Sequence, residues 1–410
     1  MWIEALIVLL AQAIVAASLL RLRDRFLFQK LLHLSVGVST LLLHNLLEKE
    51  AFVALTLLMI LLLILIPSRY FDRKLGVVAF PISVLIVSLL FYENSRVFVL
   101  SLSPMFFADP AGALVGRYLG RRAVPCGKTL EGTLAFYLVS FAIFLSGGGF
   151  PVMDALLVAL ILSLLEISSP KGLDNITVPL SAMALVGGWG VVDLWMALPI
   201  SVAVAIPICL FGWLTWCAGI AVASLGTVVL YSGGFMWVIP LVAFVVIASL
   251  VGRVLGSGEQ MRDVNQVFAN GGVSAFLAVL YAVLHEDILY YMHLSAVAAM
   301  MADTLATEVG MRFSKRSYLI TSLRPVEKGV SGGVSGWGFL GAFLGALLIG
   351  VLAGKKMIAV AASGFAGSIV DSYLGALFER RGLWNNDITN FLSASAGALF
   401  FVLLSRGGLG

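Results

Sequence analysis

The chain alternates between long apolar runs and short polar loops. Apolar runs fall near 3–20, 33–47, 51–67, 76–92, 96–116, 131–147, 152–168, 176–188, 194–210, 212–232, 235–251, 266–284, 294–312, 336–353, 356–375 and 389–405. A helix needs about 20 apolar residues to cross a bilayer. In lipid each span must satisfy its own backbone polar groups. The pattern therefore predicts an all-α, polytopic integral membrane protein with about 14–16 transmembrane helices. The run at 176–188 is short and reads as a half-helix, and the pair at 194–232 is the least regular.

Composition excludes a soluble globular domain: 60% of residues are hydrophobic and 12% charged, with a mean hydropathy of +1.05. Charge then orients the chain. With the N-terminus outside, the loops that become cytoplasmic hold all but five (Lys49, Arg96, Lys355, Lys356 and Arg406) of the 26 lysines and arginines, as the positive-inside rule requires. The loops at 21–30, 68–75, 117–128 and 312–328, together with Lys171, carry most of this charge. Basic loops against anionic lipid account for the net charge of +4 without nucleic acid. Met1 runs almost directly into the first span, so no cleavable leader is expected and a prokaryotic cytoplasmic membrane is the simplest location.

One order of motifs occurs twice. Gln29-x-x-x-His33 and Gly37-Val38-Ser39 match Gln266-x-x-x-Asn270 and Gly272-Val273-Ser274. Ala108-Asp109 matches Ala302-Asp303, and in each case a Gly lies seven residues after the Asp. Lys128-Thr129-Leu130-Glu131-Gly132 matches Lys328-Gly329-Val330-Ser331-Gly332, and Asp174-Asn175-Ile176-Thr177 resembles Asn386-Asp387-Ile388-Thr389. Four matches in one order predict two homologous halves, 1–190 and 191–410.

Ionisable residues within membrane segments are costly and mark function. In the first half, Asp109 precedes a loop with Arg117 and Lys128. A carboxylate to hold a metal beside cations for phosphate oxygens suits a Mg-nucleoside triphosphate. The same cations also satisfy the positive-inside rule. Glu131, Glu166 and Asp174 are further candidate metal or nucleotide ligands. Gly127-Lys128-Thr129 lacks the spacing and preceding strand of a P-loop. His33, beside Lys30, is a candidate general base on an alcohol. In the second half, Asp303 and Glu308 share a span, and a Gly/Ser loop (Lys328, Ser331, Gly332, Gly333, Ser335) enters a helix whose N-terminus suits an anion. Small-residue helix packing is the competing reading of that loop. Asp371 and Ser372 lie in a later span, Asn386, Asp387 and Asn390 close the site, and Asp303, Glu308, Asp371 and Asp387 are its candidate metal ligands.

The run Gln29-Lys30-x-x-His33, Ala108-Asp109-Pro110-Ala111-Gly112-Ala113-x-x-Gly116-Arg117, Lys128-Thr129-Leu130-Glu131-Gly132-Thr133 and Glu166…Asp174-Asn175-x-x-x-Pro179 resembles the polyprenol kinase family, which includes dolichol and phytol kinases. The resemblance covers about residues 20–188 and implies CTP-dependent phosphorylation of a long-chain prenyl alcohol. It adds Gly132 and Asn175 to the candidate nucleotide site. Asn265-Gln266-x-x-Ala269-Asn270-Gly271, Ala302-Asp303-Thr304-x-Ala306-x-Glu308-x-Gly310, Gly329-Val330-Ser331-Gly332-Gly333-x-Ser335 and Asp371-Ser372-x-Leu374-Gly375 resemble the phytyl-phosphate kinase family over about 200–405. That resemblance implies conversion of a prenyl phosphate to the diphosphate, with Asn265 and Asn270 in the site.

The combined expectation is a bifunctional prenol and prenyl-phosphate kinase with both sites facing the cytoplasm. Its cofactor would be Mg²⁺ and its co-substrate CTP. Its partners would be a long-chain prenyl alcohol, a prenyl phosphate, a nucleoside triphosphate and membrane lipid. A repeat-built transporter and a CTP-dependent cytidylyltransferase remain as alternatives.

Overall fold

A computed structural model of the chain describes residues 2–66, 74–147, 149–170, 172–255 and 261–407. Met1, Lys171 and most of the basic loop at 68–75 lie outside the described residues. Every one of the sixteen apolar runs is helical, and the fold is that of an all-α integral membrane protein. Nine helices among the described residues are long and apolar enough to cross a membrane, and three shorter apolar helices accompany them. The count is below 14–16 because six runs form helices of 14 to 17 described residues and because the runs at 336–353 and 356–375 join in one continuous helical stretch, Gly336–Glu379. Such helices fall short of the roughly 20 residues a full crossing takes.

The chain divides into two compact units, Met1–Trp189 and Gly190–Gly410. The first contains α1 (Trp2–Leu19), α2 (Arg25–Leu46), α3 (Lys49–Leu65), α4 (Lys74–Phe91), α5 (Ser95–Ser103), α6 (Asp109–Leu119), α7 (Leu130–Gly147), α8 (Val152–Ser168) and α9 (Asp174–Gly187). Asp24 caps α2 by accepting from the Phe26 and Leu27 N–H groups at 2.9 and 3.2 Å. Side-chain capping of this kind satisfies orphan helix donors. The Tyr118 hydroxyl and the Leu27 N–H hold the Asp24 carboxyl below its usual range. α9 is buried without a break from Val178 to Val186. With 14 residues it is about 21 Å long at ~1.5 Å per residue, a short central helix that begins at Asp174.

α6 and α7 cross backbone to backbone. A Cβ on Gly132 would lie 2.7 Å from the Gly112 carbonyl oxygen, so the crossing excludes any larger residue. Gly116 and Gly120 press on Thr129 in the same way. These glycines serve helix packing; the phosphate approach expected of Gly132 meets a surface already occupied by α6.

The second unit contains α10 (Leu194–Leu210), α11 (Trp216–Gly233), α12 (Phe235–Leu255), α13 (Val264–Leu284), α14 (Asp287–Phe313), α15 (Gly336–Gly350), α16 (Met357–Leu374) and α17 (Asn386–Arg406). Its axis is α14, buried from His293 to Ala302. α15 lies against it through Gly341 and Gly345, whose added Cβ atoms would sit 2.5 and 2.6 Å from the Leu305 and Met301 carbonyl oxygens. Between α14 and α15 the chain forms a small antiparallel sheet, β1 (Ser317–Leu319), β2 (Pro325–Val326) and β3 (Gly333–Val334), in the order β2-β1-β3. This sheet was not expected from the sequence; it shapes the Gly/Ser loop.

Candidate functional site

Each unit gathers buried or half-buried carboxylates at one place. In the first unit the geometry begins with a π-turn at Pro104–Ala108. In a regular helix the Asp109 N–H would donate to Met105; here it donates to the Pro104 carbonyl. Pro110 has no N–H to supply in its turn. The freed Met105 carbonyl accepts from His33 Nε2 at 2.9 Å. This bond fixes the tautomer: Nε2 carries the hydrogen, and Nδ1 remains the basic nitrogen, 3.6 Å from Asp109 Oδ2. The edge of the imidazole meets Phe80, with ring centroids 4.8 Å apart.

Asp109 Oδ2 also accepts from Lys30 Nζ at 2.7 Å. One oxygen each of Asp109, Glu166 and Asp174 lies within 4.8 Å of the others, which brings α6, α8 and α9 together at one point. Lys128 reaches this point from the loop before α7. Its Nζ is 2.6 Å from Glu166 Oε1 and 3.7 Å from Asp174 Oδ2, and it also donates to the Glu166 carbonyl. Burial alone would lower the Lys128 ammonium, but the Glu166 and Asp174 carboxylates outweigh it and hold it above the ordinary lysine range. Asn175 donates from Nδ2 to the Gly76 carbonyl at 2.8 Å, which anchors the start of α9 on α4.

Two residues expected here lie elsewhere. Glu131 Oε2 accepts from the Arg121 and Arg122 N–H groups at 3.0 and 3.2 Å, so it closes the preceding loop and stands apart from the three-carboxylate group. Arg117 stacks over Phe26 at 4.4 Å and lies 3.6 Å from Asp24 Oδ1, where it supports the cap of α2.

In the second unit a cavity of about 250 Å³ is lined by Asp303, Ser331, Gly332, Gly333, Ser335, Asp371, Ser372 and Asn386, all expected from the sequence, and by Glu379. The Asp303 and Asp371 carboxyl groups lie within hydrogen-bonding reach of each other. Ser335 caps α15, accepting from Gly338 N–H at 3.1 Å, so one of the free N–H groups at the helix start is taken by its own serine. Ser372 donates back to the Ser368 carbonyl at 3.3 Å. Lys328 donates to the Met311 carbonyl at 3.2 Å.

Glu308, Asp387, Asn265, Asn270 and Asn390 do not line this cavity. Five residues on from Asp303, Glu308 is turned about 140° around the helix and interacts with Arg262. Asp387 accepts from Asn385 Nδ2 at 2.8 Å, and Asn265 donates to Asp263 at 3.0 Å. Asn270 is half-buried on α13. The Asn390 carbonyl accepts from Ser393 at 3.0 Å.

Glu379 was missed. It belongs to a charged run, Glu379-Arg380-Arg381, that reads as a membrane-surface loop. A second π-turn, Gly375–Glu379, absorbs one extra residue and returns Glu379 toward the face of Asp371, eight positions earlier. The Gly-Ala that opens this turn is the sequence signal, and it is weak. Glu379 Oε1 accepts from Ser331 at 2.6 Å and Oε2 from Thr389 at 3.2 Å.

The family model described as integral membrane protein DUF92 matches residues 199–398. An uncharacterized membrane protein of Methanocaldococcus jannaschii is 34% identical over 193 residues, which is 44% of this chain and 81% of that protein. An uncharacterized membrane protein of Synechocystis is 27% identical over 195 residues, 42% of this chain and 76% of its own length. Protein VTE6, chloroplastic, of Arabidopsis thaliana is 27% identical over 158 residues, 35% of this chain and 47% of its own. No solved structure matches the chain.

Proposed function

The chain belongs to the DUF92 family of integral membrane proteins, and we propose that it is a bifunctional isoprenoid kinase, phosphorylating a prenyl alcohol in its first unit and the resulting monophosphate in its second. The observation that carries this reading is the His33–Asp109–Lys30 constellation. A basic nitrogen, a carboxylate and an ammonium group converge at a π-turn inside a membrane segment. The motif resemblances to polyprenol and phytyl-phosphate kinases support the same chemistry, with CTP as the donor, and the basic loops support cytoplasmic sites.

In the first step the alcohol oxygen forms a bond to the γ-phosphorus while the bond from that phosphorus to the bridging oxygen breaks, and CDP leaves. His33 Nδ1 takes the hydroxyl proton. Lys30 and Lys128 supply positive charge for the phosphate oxygens. Asp109, Glu166 and Asp174 offer three hard oxygen donors that fit Mg²⁺; when bound, the ion neutralises charge on the transferring phosphoryl group. A monophosphate is already an anionic nucleophile and needs no such base. Asn270, which aligns with His33, is consistent with that difference. The apolar tail reaches either site from within the bilayer.

The test is the purified full chain in detergent with geranylgeraniol, Mg²⁺ and CTP, with both phosphorylated products followed. Asp109→Asn is expected to stop the first step while still converting added monophosphate, and Asp303→Asn to accumulate monophosphate. His33→Ala is expected to slow the first step alone, by about 10²–10⁴-fold. No phosphorylated lipid from the wild-type chain with any prenol or nucleotide would sink the reading, and release of pyrophosphate would point to cytidylyl transfer.

A further inference from the structure

The cavity of the second unit has a polar wall, described above, and an apolar one made by Ala306, Phe339, Ala342 and Ile369. At about 250 Å³ it is smaller than pockets that enclose a drug-sized molecule, which hold about 300–1,000 Å³. A phosphate and the start of a prenyl chain fit such a space, but a long tail has to leave between helices. The seams differ in what they allow. α14 meets α15 backbone to backbone at Gly341 and Gly345, and it meets α16 at Gly364 and Gly367. A Cβ on Gly367 would lie 2.7 Å from Ala299 Cβ and 2.9 Å from the Ser393 carbonyl oxygen of α17. Contacts this close leave no room for a chain. α15 and α16 are tight only beside their connecting turn, where a Cβ on Gly350 would lie 3.1 Å from Ala361 Cβ. At the cavity end their seam is filled by Phe339 and Phe365, with ring centroids 6.2 Å apart. Phe339 lines the cavity and is still 40% exposed, so its ring stands between the cavity and the outer surface. Trp337 and Phe313, both exposed, pair at the same end of these helices. Aromatic residues of this kind mark the headgroup level, which puts Phe339 at the edge of the hydrocarbon layer.

We infer that the tail of the second unit's substrate leaves the cavity through the α15–α16 seam, and that Phe339 and Phe365 part to admit it. The ligand is then a phosphate carrying one linear apolar chain, because withdrawing a single ring opens a gap about one chain wide. A phospholipid with two chains does not pass. The phosphate stays at the polar wall while the chain lies along Ala342 and Ile369. Thr307 lines the cavity and is exposed, so water reaches the cavity without crossing the apolar wall. Because the chain runs out into the bilayer instead of ending in a closed pocket, its far end is not measured. Phe339 selects for the isoprene units next to the phosphate, not for total length. That the chain is prenyl rests on the kinase reading above; the seam itself does not.

The probe is farnesyl phosphate with a diazirine on its second isoprene unit, photolysed with the full chain in detergent without nucleotide. Adducts are mapped by mass spectrometry. Within the second unit they are expected on α15 and α16, at Phe339, Ala342, Phe365 or Ile369. Excess geranylgeranyl phosphate should suppress them and excess phosphatidic acid should not. Phe339→Trp adds bulk to the seam at an exposed position. It is expected to reduce this labelling and to raise KM for farnesyl phosphate about tenfold with kcat held within about twofold. Prenol phosphorylation by the first unit should be unchanged. Should that variant fail to fold, the wild-type adduct map and its two competitors still decide. Second-unit adducts confined to other helices, or none there, overturn the inference. So does labelling indifferent to a folded Phe339→Trp, or equal suppression by phosphatidic acid. Adducts at the seam without diphosphate synthesis leave the tail path standing and remove the kinase reading. Diphosphate synthesis with second-unit adducts on other helices does the reverse.

Discussion

Lys128 Nζ lies 2.6 Å from Glu166 Oε1 and 3.7 Å from Asp174 Oδ2. One loop lysine therefore neutralises carboxylates from two helices of the first unit. Removing one partner of a buried pair leaves an uncompensated charge, which costs about 3–5 kcal/mol when burial is complete. The Lys128 side chain keeps 29% of its surface exposed, so solvent screening brings the cost nearer about 1–2 kcal/mol. Lys128→Met is expected to lower the melting temperature in detergent. Adding Glu166→Gln to it should restore part of the loss. A double variant as unstable as the sum of the singles would show that the pair is not coupled.

The same contact sets a dependence on alkali. Lys128 is held above its ordinary value of 10.5, so its contribution to stability is complete below that value and disappears as pH rises through the higher folded value. The melting-temperature gap between wild type and Lys128→Met should stay level from about pH 7 to 9 and close above about 10.5. A gap that closes on acidification through neutral pH would contradict the assignment.

Glu131 and Glu166 should separate cleanly. Glu131→Gln keeps an oxygen for the Arg121 and Arg122 N–H groups and should leave first-step kinetics near wild type. Glu166→Gln removes a charge from the three-carboxylate group and should slow prenol phosphorylation by about 10–100-fold or more. Equal effects in a steady-state assay would place Glu131 back in the site.

Gly332 has φ +78° and faces α16's π-turn, where an added Cβ would lie 2.4 Å from Ala376 Cβ. Gly332→Ala therefore meets both backbone strain of about 1–3 kcal/mol and a steric clash. The loop carrying Ser331 should shift. A displacement of ~1 Å near a reacting group costs on the order of 10²-fold in rate. Monophosphate turnover should fall accordingly while prenol phosphorylation is unchanged, and equal loss of both steps would argue for global misfolding.

Local chemistry alone settled the class of fold. Each apolar run became a helix, because lipid leaves the backbone no other partner within a segment. Asp109, Glu166 and Asp174 stand out in the sequence as ionisable groups in apolar surroundings, and the structure brings those three together. Which of the other carboxylates joined them depended on direction. Glu131 faces its own loop, and Glu308 is turned away from Asp303 into the field of Arg262, since a helix turns about 100° per residue.

The two π-turns were decided only by tertiary packing. One frees the Met105 carbonyl for His33, and the other returns Glu379 to the cavity of Asp303 and Asp371. Apolar periodicity carries no mark for a single inserted residue, because the helix continues on either side. Only the packed neighbours show which carbonyl is left free and which carboxylate is turned inward. The sequence by itself thus determined that this protein is a helical membrane protein with acidic groups set among its apolar segments in both halves. The tertiary structure decided which of those groups meet, and which lysines lie between them.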